Sequence, residues 1–174
     1  MYEKRLLPNG VTLALDRMEG VRSVSLGVFI RAGSRCEGPG EAGAAHFIEH
    51  MLFKGSAGRT SAELAEAADE LGADLNAYTS RDCTSVYARC LDTNLAGVAA
   101  LLAEMLTRSR FAPEDMDTER GVILDEIRMY DDLPSDVATE TLVRICFPGS
   151  LGAPVLGSPE SVKAMSRETL LGFM

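Results

Sequence analysis

The chain has 174 residues, 46% of them hydrophobic and 25% charged, which suits one domain able to bury a core and excludes an intrinsically disordered segment. Its formal net charge of −9 excludes a general nucleic-acid or anionic-membrane binder, because either needs a basic face. An acidic cavity would instead draw metal cations or basic peptides, although net charge alone does not locate one.

The predicted elements begin with strands. Lys4 to Leu7 leads into Pro8-Asn9-Gly10, a turn signal, and Val11 to Leu15 alternates beyond it. Ser23 to Arg31 is a β-rich run suited to a central strand, and a glycine-rich loop, Gly33 to Gly43, follows it. From about Ala42 to Lys54 the pattern turns helical. Thr60 opens a second helix with Glu63 three residues on, a capping box, and Gly72 stops it. Asp74 to Tyr78 and Ser85 to Leu91 read as a pair of strands. Asn94 to Thr107 is an Ala/Leu helix, and Pro113 suits the first position of the next, which runs to about Tyr130. A further helix spans Ser135 to Cys146, and two short ones follow, one beginning at Pro159 and one capped by Ser166. This order predicts an α+β fold with an antiparallel or mixed sheet packed against helices. The last residues, Leu171 to Met174, are still apolar and helical, so the chain reads as a first domain incomplete at its C-terminus.

The chemistry lies in His46-Phe47-Ile48-Glu49-His50. On a helix His50 sits about 40° around from His46, and Glu49 about 60° to the other side. All three groups therefore share one arc of about 100°. Two imidazoles one turn apart can hold one zinc ion, with Glu49 beside it to take a proton from water. The chain has only two histidines, and random placement would give this pattern roughly once in 1,000 sequences. Two ordinary histidines on a buried helix are therefore the weaker reading.

Catalytic zinc wants a third protein ligand and an open position. Glu119-Arg120-Gly121-Val122-Ile123-Leu124-Asp125-Glu126 offers candidates. Glu119 and Glu126 are seven apart and lie on nearly one helix face. Chemistry alone does not choose between them or exclude Asp125, and a solvated acidic face would look the same.

With these motifs on the page, the chain resembles the pitrilysin/insulinase (M16) zinc metallopeptidases, in particular the processing-peptidase-like branch. Gly33-Ser34-Arg35, HFIEHMLFKG, Leu75 to Asp82, ERGVILDEI, Gly157-Ser158-Pro159-Glu160 and SRETLLGF carry the resemblance along nearly the whole chain. It implies the metallohydrolase fold of those peptidases. It implies Zn2+ held by His46, His50 and Glu126, with Glu49 as the catalytic base. Glu126 stands 76 residues beyond His50, which agrees with the family spacing. Glu119 then corresponds to a carboxylate that steadies a ligand or the base. Asn76 and Tyr78 become substrate contacts on an edge strand, with Ala77 and Thr79 pointing to the opposite face. The implied partners are a peptide substrate and a second pitrilysin-type domain or subunit that closes the cleft.

Three rivals stand beside this reading. A non-catalytic subunit of the same family would have lost the zinc motif, and all four key positions are intact. A small zinc lyase of the S-ribosylhomocysteine type would need a cysteine as third ligand and a further reactive cysteine; Cys83 is a candidate, but it lies in a segment that matches the peptidase pattern. A structural zinc or peptide-binding module would fill four ligand positions. The four cysteines form no C-x-x-C pair, no apolar leader opens the sequence, and no run approaches the roughly 20 residues of a membrane span. Free thiols in the cytoplasm are the expectation.

Overall fold

The structure is a computed structural model and describes residues 2–174. Strands β1 (Tyr2–Leu6) and β2 (Thr12–Asp16) form an antiparallel hairpin with Leu6 opposite Thr12. Its turn is the expected Pro8-Asn9-Gly10, where Gly10 takes φ 85°, a conformation that costs glycine little. Every residue of β2 is exposed, and the hairpin is a two-stranded sheet of its own.

The second sheet comprises β3 (Ser23–Ile30), β4 (Asp74–Thr79) and β5 (Thr84–Leu91), all antiparallel, in the order β3-β5-β4. The 23–31 segment is thus at an edge rather than in the centre, as its composition suggested. β5 takes the centre, pairing with a strand on each side, and its Thr84, Ser85 and Val86 are all buried. β3 alternates exposed and half-buried residues, which is the pattern of a strand covered on one face.

Seven helices are described: α1 (Ala44–Met51), α2 (Ser61–Glu70), α3 (Leu95–Arg108), α4 (Pro113–Asp131), α5 (Pro134–Cys146), α6 (Pro159–Ala164) and α7 (Arg167–Phe173). The Thr60/Glu63 capping box forms in full, and Pro113 and Pro159 open their helices. Single 3-10 turns occupy 34–36, 92–94 and 149–152, within or beside segments read as loops or helix starts. α1 is shorter than the 42–54 pattern because Gly43 leaves helical geometry at φ 89° and Leu52 and Phe53 are already in a turn.

The core forms where α1 and α3 meet the inner face of the sheet and α4 packs against α1. Val86, Ala88 and Cys90 of β5 lie on that face, with Phe47 and Met51 of α1, Val98, Leu102 and Met105 of α3, and Ile123 of α4. No residue of α1 is exposed: its apolar face enters the core, and its polar face, with His46, Glu49 and His50, is covered by other elements. Each of its large side chains contributes on the order of 1.5–3 kcal/mol by leaving water. The loop before α6 crosses the start of α1 so closely that a Cβ on Gly43 would meet the Leu156 carbonyl oxygen at 2.7 Å. A Cβ on Gly157 would meet that of Ala42 at 2.6 Å. These two glycines therefore set how the distant 153–158 segment seats the entry to α1. Among the described residues no helix is long and apolar enough to cross a membrane.

Candidate metal centre

α1 begins at a glycine that has no side chain with which to cap it. Glu37 supplies the cap from a distance: its carboxylate oxygens accept from the backbone N–H groups of Gly43 at 2.9 Å and Ala45 at 3.0 Å. An anion at a helix N-terminus is favoured by the exposed N–H groups and the helix dipole. Burial nevertheless pushes the Glu37 carboxyl up to about 7, with the two backbone donors pulling the other way.

Helix periodicity turns His46, Glu49 and His50 to one side of α1, and α4 crosses there. Oε2 of Glu126 lies 3.5 Å from Nε2 of His46 and 3.6 Å from Nε2 of His50. The imidazoles stand edge to face with centroids 4.7 Å apart. One ligand atom from each of the three residues falls within 4.8 Å of the other two. Burial, and then the neighbouring His50, lower the His46 pKa to about 4, so its ring is neutral at pH 7. The His46–Glu126 approach is therefore not an ion pair at that pH, despite opposite nominal charges.

The donor set suits a metal ion. Zinc holds such ligands at about 2.0–2.1 Å, so two ligand atoms at the corners of a tetrahedron stand about 3.3 Å apart. The two nitrogen–oxygen separations lie close to that edge. A directly bonded imidazolium and carboxylate would close to roughly 2.8 Å instead. A neutral His46 ring is the form that can lend a lone pair, and it is Nε2 that faces Glu126; its Nδ1, on the far side of the ring, is buried with no hydrogen-bond partner among the described residues.

Glu49 stands beside this group, half-buried. Thr79 Oγ1 donates to its Oε2 at 2.5 Å. Burial raises the Glu49 pKa; the Thr79 hydroxyl and His50 counter it, and Glu126 adds to the rise. Glu119 accepts from the other nitrogen of His50, Nδ1, with 2.9 Å between that atom and Oε2. It sits in the buried stripe of α4 with Met116, Ile123 and Ile127, only 3% exposed. Its second oxygen, Oε1, is 2.6 Å from Nζ of Lys54. Asp125 points elsewhere, pairing with Arg128 on the exposed side of α4. The three carboxylates that composition could not tell apart thus occupy three different places.

Asn76 and Tyr78 lie on β4, whose outer edge pairs with no other described strand. Tyr78 is exposed and approaches Tyr87 across the sheet, with ring centroids 6.3 Å apart. Thr79 and Ala77 point to the opposite face, as alternation required; it is Thr79 that reaches Glu49. Cys83 meets the Ser80 hydroxyl at 3.6 Å, and the metal-competent group contains no cysteine. Sequence reasoning gave no role to Lys54, Thr79 or Glu37. Lys54 was legible only as the residue one turn beyond His50, and Thr79 only by its parity in the strand.

The chain matches the family model described as Insulinase (Peptidase family M16) over residues 12–158. It is 42% identical over 168 residues to an uncharacterized zinc protease of Mycobacterium leprae, covering 96% of this chain and 38% of that protein. It is 38% identical over 169 residues to a probable mitochondrial-processing peptidase subunit beta of Arabidopsis thaliana, covering 97% of this chain and 32% of that protein. The chain therefore spans well under half the length of these curated relatives. Among solved structures, a protease from Helicobacter pylori superposes with a TM-score of 0.93 at 23% identity, covering 99% of this chain and 42% of that one. The inactive domain of an M16 peptidase from Pseudomonas fluorescens superposes with a TM-score of 0.92 at 19% identity, covering 99% and 42%. At such identities these two likenesses speak for the fold: small antiparallel sheets packed against helices, as in M16 peptidase domains.

Proposed function

The chain belongs to the insulinase family of peptidases, family M16, and from that premise we propose that it is the zinc-binding part of a metalloendopeptidase that hydrolyses peptides or unfolded and targeting segments. The observation that carries the proposal is the meeting of His46, His50 and Glu126 around one point, with Glu49 at its side. Those three residues would hold Zn2+. Bound there, zinc supplies Lewis acidity, which acidifies water and polarises the scissile carbonyl.

The remaining steps fall to the chain's own residues. Glu49 takes the proton at Oε1, because its Oε2 is already engaged by Thr79, and passes it to the departing amine. Glu119 orients the His50 ring so that Nε2 faces Glu126. An extended substrate would add to the free edge of β4, with Asn76 and Tyr78 contacting its side chains. A second pitrilysin-type domain or subunit would close the other side of the cleft. The four thiols, all free in the structure, fit a reducing compartment, and the cytoplasm is the proposed one.

The test is zinc content together with cleavage of an unstructured peptide, with chelator-treated protein and Glu49→Gln as controls. Chelator-sensitive cleavage that is lost in Glu49→Gln is the expected result. Cleavage that survives complete removal of zinc would overturn the proposal.

A further inference from the structure

Glu119 is a carboxylate almost fully enclosed in the buried stripe of α4, and an isolated charge is unfavourable there. Two groups on one side of it compensate the charge. Nδ1 of His50 occupies Oε2 at 2.9 Å, and Nζ of Lys54 occupies Oε1 at 2.6 Å. Lys54 follows α1 directly, four residues after His50, and its side chain is mostly covered although it carries a charge. The backbone N–H of Lys54 bonds the Met51 carbonyl, so its Cα is tied to the same helix that carries both histidines.

From this geometry we propose that Lys54 is a positioning residue for the metal centre, acting on His50 through Glu119. The inference rests on the zinc reading given above and adds a residue to it. With Oε1 fixed by Lys54, only Oε2 is left for His50, and the carboxyl plane cannot turn. An acceptor at Nδ1 holds the ring in the tautomer with its hydrogen on that nitrogen, so the lone pair lies on Nε2, the atom that faces Glu126. Without Lys54 the carboxylate can rotate or draw toward solvent, and the imidazole loses its fixed orientation. The folded state loses some stability with the partner of a buried charge, and the protein that remains folded loses metal affinity as well, which a merely structural role would not change.

The experiment is equilibrium competition for Zn2+ between the purified chain and a chromophoric chelator, with thermal melts to establish folding. Removing a partner of a metal ligand weakens affinity by about 10–100-fold, and Lys54, one step further out, should show about tenfold in Lys54→Met. Lys54→Arg should recover most of it. In a Glu119→Gln background, Lys54→Met should cost nothing more, because its route to His50 is already cut. If Lys54→Met does not fold, Lys54→Gln, which keeps a neutral donor, takes its place in the same cycle. Equal affinity of wild type and Lys54→Met, or a full additive loss in the double variant, would overturn the proposal. A wild-type chain that takes up no zinc at all would overturn the metal reading itself, and this inference with it.

Discussion

The hydroxyl of Thr79, on the free edge strand β4, donates to Oε2 of Glu49 on α1 at 2.5 Å. The strand proposed to receive substrate and the proposed base are therefore mechanically joined. Thr79→Val, which keeps the shape and deletes the donor, should lower kcat by about tenfold, within the range of a modest misalignment of a base. KM and zinc content should change little, and Thr79→Ser should restore most of the rate. Steady-state kinetics on these two variants decide it; a loss confined to KM would remove Thr79 from any role at the base.

Glu49→Gln should retain zinc, because Glu49 is not one of the three converging ligands. Its turnover should fall by about 10²–10⁴-fold, the usual contribution of a general base. Metal analysis and peptide cleavage on the same preparation separate the two effects. Near-wild-type turnover would end the proposed role.

Each ligand has a different signature. His46→Ala and His50→Ala should fail to hold zinc stoichiometrically through gel filtration, and Glu126→Gln should bind it far more weakly. Asp125→Asn should bind like wild type, since Asp125 pairs with Arg128 on the exposed face. Full zinc stoichiometry in Glu126→Gln would return the third-ligand question to Glu119.

Zinc should also stabilise the fold. A ligand that binds only the native state at 100 times its Kd contributes about 2.7 kcal/mol. The melting temperature should rise with added Zn2+ and return to its starting value with chelator. An unchanged Tm across a titration that saturates the protein would contradict binding to the native state.

Glu37 gives the chain a pH-dependent stability. Its folded pKa, raised by burial to about 7, exceeds its ordinary value of 4.5, so between these values the folded state binds more protons than the unfolded one. The stability it contributes is present below about 4.5 and is lost as pH rises through about 7. Wild type should therefore lose stability from pH 5 to pH 8 relative to Glu37→Gln, which keeps an acceptor for the Gly43 or Ala45 amide. Urea melts of both proteins at the two pH values measure the difference; parallel behaviour would mean that Glu37 does not titrate in this window. Glu37→Ala, which leaves two buried N–H groups without partners, should cost on the order of 1–3 kcal/mol at either pH.

Local rules were enough to read much of this protein from its sequence. The helix period alone turned His46, Glu49 and His50 to one side. Thr60, Glu63, Gly72 and Pro113 punctuated helices where their backbone chemistry requires it, and Pro8-Asn9-Gly10 made a hairpin. Each of these depends on neighbours within a turn or two, so the information is contiguous in the chain. What the tertiary structure decided is everything that depends on one element arriving at another. It put β5, not the 23–31 strand, at the centre of the sheet. It sent Glu126 to the Nε2 side of the histidines, Glu119 to Nδ1 from 69 residues away, and Asp125 to solvent. It brought Thr79 to Glu49 across 30 residues and Lys54 onto Glu119. Seven-residue spacing makes Glu119 and Glu126 equivalent on an isolated helix; only the crossing of α4 over α1 brings one to Nε2 of both histidines, at the proposed metal site, and the other to Nδ1 of His50.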